Sequence, residues 1–189
     1  MTAAPCLSKE IFMKCSIKGR EMIKSFEALS LKAYHGKADR AGVWTIGWGH
    51  TRSVKPGDVI TREKAEELFN ADLEPVERTL NADLVTGRPR PLVTQEQFDA
   101  LCSLVFNVGS GHYLDSTLRR KIKQGDIMGA ASEFKRWIYS DHKIAPGLIP
   151  RRDAERRLFL QSGAADIAAM MLGVMLAGSA ALVAMIFMM

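Results

Sequence analysis

The amino-acid sequence predicts an α+β fold, in which a small antiparallel sheet near the N-terminus is followed by a helical body and a C-terminal hydrophobic helix. Two segments rich in β-branched and aromatic residues, 31–34 and 43–50, flank a polar turn that contains two glycines. After position 61 the apolar residues recur at helical spacing. Residues 167–189 carry no charge at all. A sheet followed by a run of helices is typical of the α+β class.

The sheet region begins with a helix over 18–26, because Met22, Ile23 and Phe26 fall at helical spacing. Glu27 comes at the end of that helix. The segments 31–34 and 43–50 then form a hairpin, and a third short strand is expected at 59–60 after a turn of Pro, Gly and Asp residues.

The helical body begins at Thr61, a predicted N-cap. Pro75 is expected to end or bend this helix, because proline lacks the N–H group that continues the hydrogen-bond ladder. Thr94 and Gln97 have the spacing of a capping box and predict a helix over 95–108. Further helices are predicted over 116–124, over 127–139 after Asp126, and from Pro150 to 161.

Charge and apolar patterning divide the chain into a leader (1–16), a folded domain (17–163) and a hydrophobic tail (164–189). As a helix, the 23 uncharged residues 167–189 would be about 35 Å long, which is enough to cross a bilayer core. We therefore expect a transmembrane tail. The alternative is a buried core helix.

The net charge of +5 favours a polyanionic partner, such as nucleic acid or a cell-wall polymer. No zinc-ligand spacing, RNP-like motif or basic zipper supports nucleic acid, so we expect no nucleic-acid partner. The three cysteines, Cys6, Cys15 and Cys102, are too few and too scattered for a disulfide scaffold or a metal cage. No metal site is predicted.

The carboxylates near the hairpin are candidates for acid–base chemistry. Glu27 follows an apolar helix, and Asp39 lies in the polar turn of the hairpin. Glycoside hydrolysis requires two carboxylates across a cleft, one protonated and one ionised. The apolar neighbour Phe26 suits Glu27 to the acid role, and the polar turn suits Asp39 to the base role. By spacing alone this assignment is weak.

Longer motifs make the sequence recognisable. FEALSLKAY at 26–34 and GVWTIGWGHT at 42–51 resemble the phage-type lysozymes, glycoside hydrolase family 24. The resemblance continues at LFNADL (68–73), QFDAL with FNVG (97–101 and 106–109) and GLIPRRDAE (147–155). It covers residues 17–162, nearly the whole chain before the tail.

The resemblance implies an inverting muramidase that cuts the β-1,4 bond between N-acetylmuramic acid and N-acetylglucosamine. Glu27 would protonate the glycosidic oxygen, and Asp39 with Thr45 would activate the attacking water. The spacing from Glu27 to Asp39 is three residues longer than the family's usual spacing, so that simple counting would choose Gly36. We interpret this as an insertion in the hairpin that retains Asp39 as the functional acid.

The resemblance also assigns supporting residues. It implies that His50 and Asp72 form a structural ion pair between the sheet and the long helix, and that Phe106 lines the cleft floor and contacts sugar. No cofactor is expected, because acid, base and water complete the reaction. We expect a monomeric catalytic domain that acts on peptidoglycan glycan strands.

The predicted tail raises the question of compartment. The family's soluble members wait for a phage holin to open the inner membrane, and a holin is therefore a candidate partner. We expect the protein to be made in the host bacterial cytoplasm, to associate with the inner membrane through residues 164–189 and to act on the cell wall in the periplasm. The tail either tethers the enzyme or itself disrupts membranes.

Two alternatives remain open at this point. A lytic transglycosylase cleaves the same bond with one catalytic Glu and forms an anhydro-sugar, and the displaced Asp39 keeps this reading open. The second is an inert, membrane-anchored wall-binding protein.

Overall fold

The computed structural model describes residues 12–161 except for 36–41, 88–91 and 141–142. The first part of the predicted leader, Cys6, Asp39 and the predicted transmembrane tail lie outside the described residues. Within the described ranges, no helix combines the length and the apolar character needed to span a membrane.

The predicted first helix and hairpin are confirmed. Helix α1 (Ile17–Phe26) begins at Ser16, whose side chain accepts a hydrogen bond from the Gly19 backbone N–H. Strands β1 (Ser30–His35) and β2 (Trp44–Gly47) pair antiparallel, with Tyr34 opposite Thr45. The expected third strand is reduced to a single antiparallel bridge between Val59 and Lys32, so the sheet has two strands.

The long helix α2 (Arg62–Leu84) runs through Pro75, so this proline does not end the helix, which was one of the two outcomes predicted for it. Proline removes one backbone hydrogen bond of the ladder. The buried side chains on both sides, Leu73, Val76 and Leu80, continue one apolar stripe against the core. Burying each contributes about 1.5–3 kcal/mol, which outweighs the single lost bond.

The rest of the body is built from short helices around a central one. Helix α3 (Gln95–Val108) has the predicted bounds and the predicted capping box of Thr94 and Gln97. Helices α4 (Ser110–Leu114), α5 (Thr117–Lys123) and α6 (Ile127–Glu133) follow. A final helix, α7, covers 148–161 up to the last described residue.

The predicted helix over 127–139 is too long. Helix α6 ends at Glu133 and tightens into a 3₁₀ turn over Phe134–Arg136. Two short strands that the sequence analysis did not anticipate, β3 (Tyr139–Ser140) and β4 (Lys143–Ile144), then pair antiparallel. Trp137 therefore lies beyond the helix, half-buried against the core.

The core is centred on α3, which packs against both α1 and α2. Its Phe98, Leu101, Leu104 and Val105 are completely buried. Cys102 is also buried and is a free thiol, as expected for a core residue. Helix α3 thus fixes α1, which ends at Glu27, relative to the rest of the body.

Residues 12–16, which we call the N-terminal strap, bind closely to the body although the sequence analysis assigned them to a leader. Cys15 is buried. Three backbone N–H groups of the strap donate to side chains of α2 and α3: Met13 to Asn81 (2.7 Å), Cys15 to Glu77 (2.9 Å) and Ser16 to Asp99 (2.9 Å). The strap therefore connects α1 to both long helices.

Candidate active site

Glu27 stands where α1 gives way to the sheet. It is the C-cap of α1, with an extended backbone (φ −108°, ψ 124°), and its N–H donates to the Lys24 carbonyl oxygen. The chain turns outward at this point and enters β1 three residues later. The Glu27 side chain is 22% exposed, so its carboxylate is accessible from solvent yet partly enclosed.

Arg151 of α7 binds the Glu27 carboxylate. Its Nη1 donates to Oε1 of Glu27 at 2.6 Å, and the arginine side chain is only 4% exposed. The guanidinium also lies 5.7 Å from the centre of the Phe26 ring, within the range of a cation–π contact. Arg151 of α7 thus holds the carboxylate of Glu27, which follows α1.

The guanidinium of Arg151 is itself fixed on its other sides. Its Nε donates to Oε1 of Glu155 at 3.2 Å, and its Nη2 donates to the Ser103 carbonyl oxygen at 3.2 Å. All three nitrogens therefore have an acceptor. Because a guanidinium is planar, three acceptors fix its orientation as well as its position.

The turn that follows β2 approaches the same carboxylate. Gly49 has φ +90°, a backbone conformation that side chains rarely adopt. A Cβ atom at this position would lie 3.6 Å from Oε2 of Glu27. The glycine therefore brings the backbone after β2 close to Glu27, with Oε1 on the arginine side and Oε2 on the hairpin side.

Thr45 lies on β2 opposite Tyr34 and is half-buried. It belongs to the hairpin that approaches Glu27, although no hydrogen bond joins the two side chains in the described part of the chain. Asp39 belongs to the connection between β1 and β2, and residues 36–41 lie outside the described ranges. The site therefore consists of Glu27, its arginine and the hairpin strand that carries Thr45.

His50 and Asp72 lie against each other at the back of the hairpin. His50 Nδ1 is 2.8 Å from Oδ2 of Asp72, and Nε2 is 2.9 Å from the Arg52 carbonyl oxygen. Both ring nitrogens are therefore engaged. The contact joins His50, which follows the hairpin, to Asp72 of α2. It is the pair between sheet and long helix that the family resemblance implied.

Phe106 is half-buried near the C-terminal end of α3, and its ring packs on Phe69 with centroids 5.5 Å apart. The next two residues, Asn107 and Val108, line a groove of about 580 Å³, with Trp137 and Tyr139 among the other lining residues. Trp137 lies beyond the end of α6, where it packs partly against the core and also lines this groove.

Arg151 is the site residue that the sequence analysis missed. It lies within the motif at 147–155, to which no catalytic or binding role was assigned. The pair with Glu27 joins residues 124 positions apart, which no local periodicity can reveal. The available signal was the family motif at 147–155, which contains both Arg151 and Glu155.

Comparison with known proteins agrees with this geometry. The phage lysozyme family model matches residues 24–155. This chain belongs to the phage lysozyme family. The endolysin of Acyrthosiphon pisum secondary endosymbiont phage 1 is 45% identical over 151 residues, covering 78% of this chain and 98% of that relative. Membership confirms the resemblance recognised in the sequence, and the protein is a lysozyme-type hydrolase.

More distant members of the phage lysozyme family are also similar. An endolysin of Bacillus phage B103 is 42% identical, and this chain spans only 54% of its length. A SAR-endolysin of Bacteriophage PS119 is 39% identical over 128 residues, with 67% of this chain and 74% of the relative covered. The solved muramidase domain of SpmX from Asticaccaulis excentricus has a TM-score of 0.69 at 36% identity, covering 78% and 98% of the two chains. These relatives support the lysozyme-like fold and lend no support to a transglycosylase or an inert wall-binding protein.

Proposed function

We propose that this lysozyme hydrolyses the β-1,4 bond between N-acetylmuramic acid and N-acetylglucosamine in bacterial peptidoglycan, with inversion and with Glu27 as the general acid. The observation that carries the proposal is the Glu27 carboxylate at the rim of the hairpin, with Oε1 bound by the buried Arg151. A general acid must be accessible to the leaving oxygen and fixed in orientation. Glu27 satisfies both conditions.

The proposed reaction balances without a cofactor. The Glu27 proton passes to the glycosidic oxygen as the C1–O bond breaks. A water molecule attacks C1 from the opposite face and gives its proton to Asp39, while Thr45 orients that water. An inverting pair of carboxyl groups needs room for this water between them. Three additional residues in the turn lengthen the connection that carries Asp39, so its reach is the feature that most needs a test.

The role of Asp39 is tested by the chemical structure of the released fragments and by the rate at which an Asp39 variant releases them. We expect the full chain to release peptidoglycan fragments with an added water and free reducing ends, as read by mass spectrometry. Asp39→Asn is expected to slow this release by about 10²- to 10⁴-fold, since it removes the base. Asp115→Asn, at an exposed carboxylate that caps α4, is the matched control and is expected to keep the wild-type rate.

Two results would change this assignment. Fragments with anhydro ends from the wild-type chain would make the enzyme a transglycosylase that works with Glu27 alone. Hydrolysis that continues at the wild-type rate in Asp39→Asn would remove Asp39 from the reaction and leave the role of base to another group of the hairpin.

We further propose that residues 164–189 tether the enzyme to the inner membrane before lysis. Gln161, the last described residue, accepts a hydrogen bond from Lys18 Nζ at 2.9 Å, so α7 ends beside the N-terminal end of α1. Glu27 follows the other end of this ten-residue helix, about 15 Å away. A membrane anchor that begins after 161 is therefore separated from the catalytic acid.

Membrane fractionation tests the tether. We expect the full chain to sediment with membranes and to resist extraction by high salt, because burial of apolar side chains rather than charge would hold it there. A chain truncated after Gly163 is expected to stay in the supernatant and to retain activity on purified peptidoglycan. Equal solubility of the two chains would overturn the tether, and dye release from liposomes by the tail alone would instead favour membrane disruption.

A further inference from the structure

A second carboxylate, Glu155, lies behind the arginine that binds Glu27. Glu155 is completely buried on α7 and accepts hydrogen bonds from three side chains. The donors are Ser103 Oγ at 2.7 Å, Arg152 Nη2 at 2.9 Å and Arg151 Nε at 3.2 Å. An acid enclosed this completely is retained only when its charge is compensated, and both compensating cations are arginines of the same helix.

The four charged groups form a row whose charges cancel. Glu27 lies at the solvent end, followed by Arg151, Glu155 and Arg152, which is only 1% exposed. Within the described residues, Nη1 of Arg152 has no hydrogen-bond partner, and Glu155 is the acid with which this arginine forms an ion pair. Without Glu155, two buried positive charges would therefore face Glu27 alone.

Burial shifts the pKa of the two members of the row that lie farthest from Glu27. It raises the pKa of Glu155 above its usual range, against the opposing effect of Arg152, Ser103 and Arg151. It likewise lowers the pKa of Arg152, and the nearby carboxylates Glu155 and Glu27 oppose this while Arg151 adds to it. Charges in this part of the fold are thus weakly screened by water, and a change in one is felt by the others.

A general acid in contact with an arginine faces opposing requirements. The arginine fixes the carboxyl group in orientation, but a positive charge within hydrogen-bond distance favours the ionised form, which cannot donate a proton. Glu155 reduces this conflict, because it accepts from Nε of Arg151 while Nη1 of the same guanidinium binds Glu27.

We propose that Glu155 is a positioning residue, which orients Arg151 and balances the charges of Arg151 and Arg152 beside Glu27. The inference rests on the proposed role of Glu27 as general acid. Glu155 acts only through Arg151 and does not touch substrate.

Other charged groups near Glu27 stay constant in the test. Lys24 of α1 lies over the Trp48 ring and pairs with Glu66 of α2, and His50 is engaged with Asp72. Arg151 is the one cation within 4 Å of the Glu27 carboxylate among the described residues. Asp39, in the undescribed turn, is left unaltered in every variant.

The experiment is the pH dependence of kcat/KM for the full chain on purified peptidoglycan. The alkaline limb reports loss of the proton from the general acid. Glu155→Gln keeps the shape of the side chain and removes its charge, so the alkaline midpoint is expected to fall by about one pH unit. Glu155→Gln combined with Arg152→Gln removes one charge of each sign and is expected to return the midpoint close to the wild-type value.

Arg152→Gln alone tests the same charge balance by removing a positive charge instead of a negative one. It leaves Glu155 facing Arg151 with no second cation, so the alkaline midpoint is expected to rise. This variant keeps the inference testable if Glu155→Gln does not fold. A structural role for Glu155 would lower activity by the same factor at every pH and would not move the limb in opposite directions in the two variants.

The outcomes separate this inference from the proposed function. If Glu27→Gln is inactive while neither Glu155→Gln nor Arg152→Gln moves the alkaline limb, Glu27 remains the acid and Glu155 is structural only. If Glu27→Gln keeps the wild-type rate, the proposed function fails and the inference fails with it. Opposite shifts in the single variants, with recovery in the double variant, support the inference.

Discussion

Glu27→Gln is expected to lower kcat/KM on peptidoglycan by about 10³-fold, since an amide has no proton to give to the glycosidic oxygen. Glutamine has the same shape and still offers an oxygen to Nη1 of Arg151, now 2.6 Å from Glu27 Oε1. We therefore expect the variant to fold and to bind the glycan. The loss should appear in kcat, with KM little changed, because the missing interaction belongs to the transition state.

Glu21→Gln is the matched control for this substitution. Glu21 lies on the same helix, α1, is exposed, and has the same change of charge. It is expected to retain wild-type activity. Turbidity loss of a cell-wall suspension gives the rates, and circular dichroism verifies the fold of both variants. Substantial activity in Glu27→Gln, with product ends unchanged, would transfer the acid role to another residue.

The elements that the sequence predicted well are those with local signals. The capping box at Thr94 and the glycine after Val108 gave both ends of α3 correctly. Helix α1 begins one residue before its predicted start, and the hairpin followed from two segments rich in β-branched and aromatic residues. Each of these signals acts over at most four residues, and for that reason each was visible in the sequence.

The wrong predictions concern positions where tertiary packing outweighs local preference. Pro75 lies inside α2 because the apolar stripe on both sides is buried in one core. Helix α6 stops at Glu133, although the apolar pattern continues to Trp137, because the chain turns into a 3₁₀ segment and a second small sheet. Neither effect follows from helix propensity, which is a weak influence beside packing.

The same distinction between local signals and tertiary contacts applies to the residues of the candidate site. Glu27 and Thr45 were proposed from motifs of adjacent residues. The Arg151–Glu155 arrangement behind Glu27 was not, since it joins α1, α3 and α7 through side chains that are far apart in sequence. A family motif indicates that such residues recur together, but only the fold shows which of them are in contact.

The connection between α1 and the body leads to the second large effect. Asp99 of α3 is 2% exposed and binds three groups: the Ser16 backbone N–H at 2.9 Å, the Ser16 hydroxyl, and Gln95 Nε2 at 2.8 Å. Ser16 is also the N-cap of α1. One buried carboxylate thus fixes the start of the helix that ends at Glu27, the proposed general acid.

Asp99→Ala is expected to destabilise the protein by about 3 kcal/mol, because the half-buried Ser16 N–H loses its acceptor and hydrogen bonds to a charged group are the strong ones. For a domain of this size that lowers Tm by roughly 6–12 °C. Glu67→Ala removes an equally charged group whose ion pair with Lys64 is exposed, and it is expected to cost less than about 1 kcal/mol. Thermal unfolding of both variants checks this, and equal Tm values would show that the N-terminal strap contributes little to the fold.

Because Asp99 lies at the far end of α1 from Glu27, the alanine variant should keep its kcat at temperatures where it remains folded. A parallel loss of kcat would mean that the strap also sets the position of Glu27.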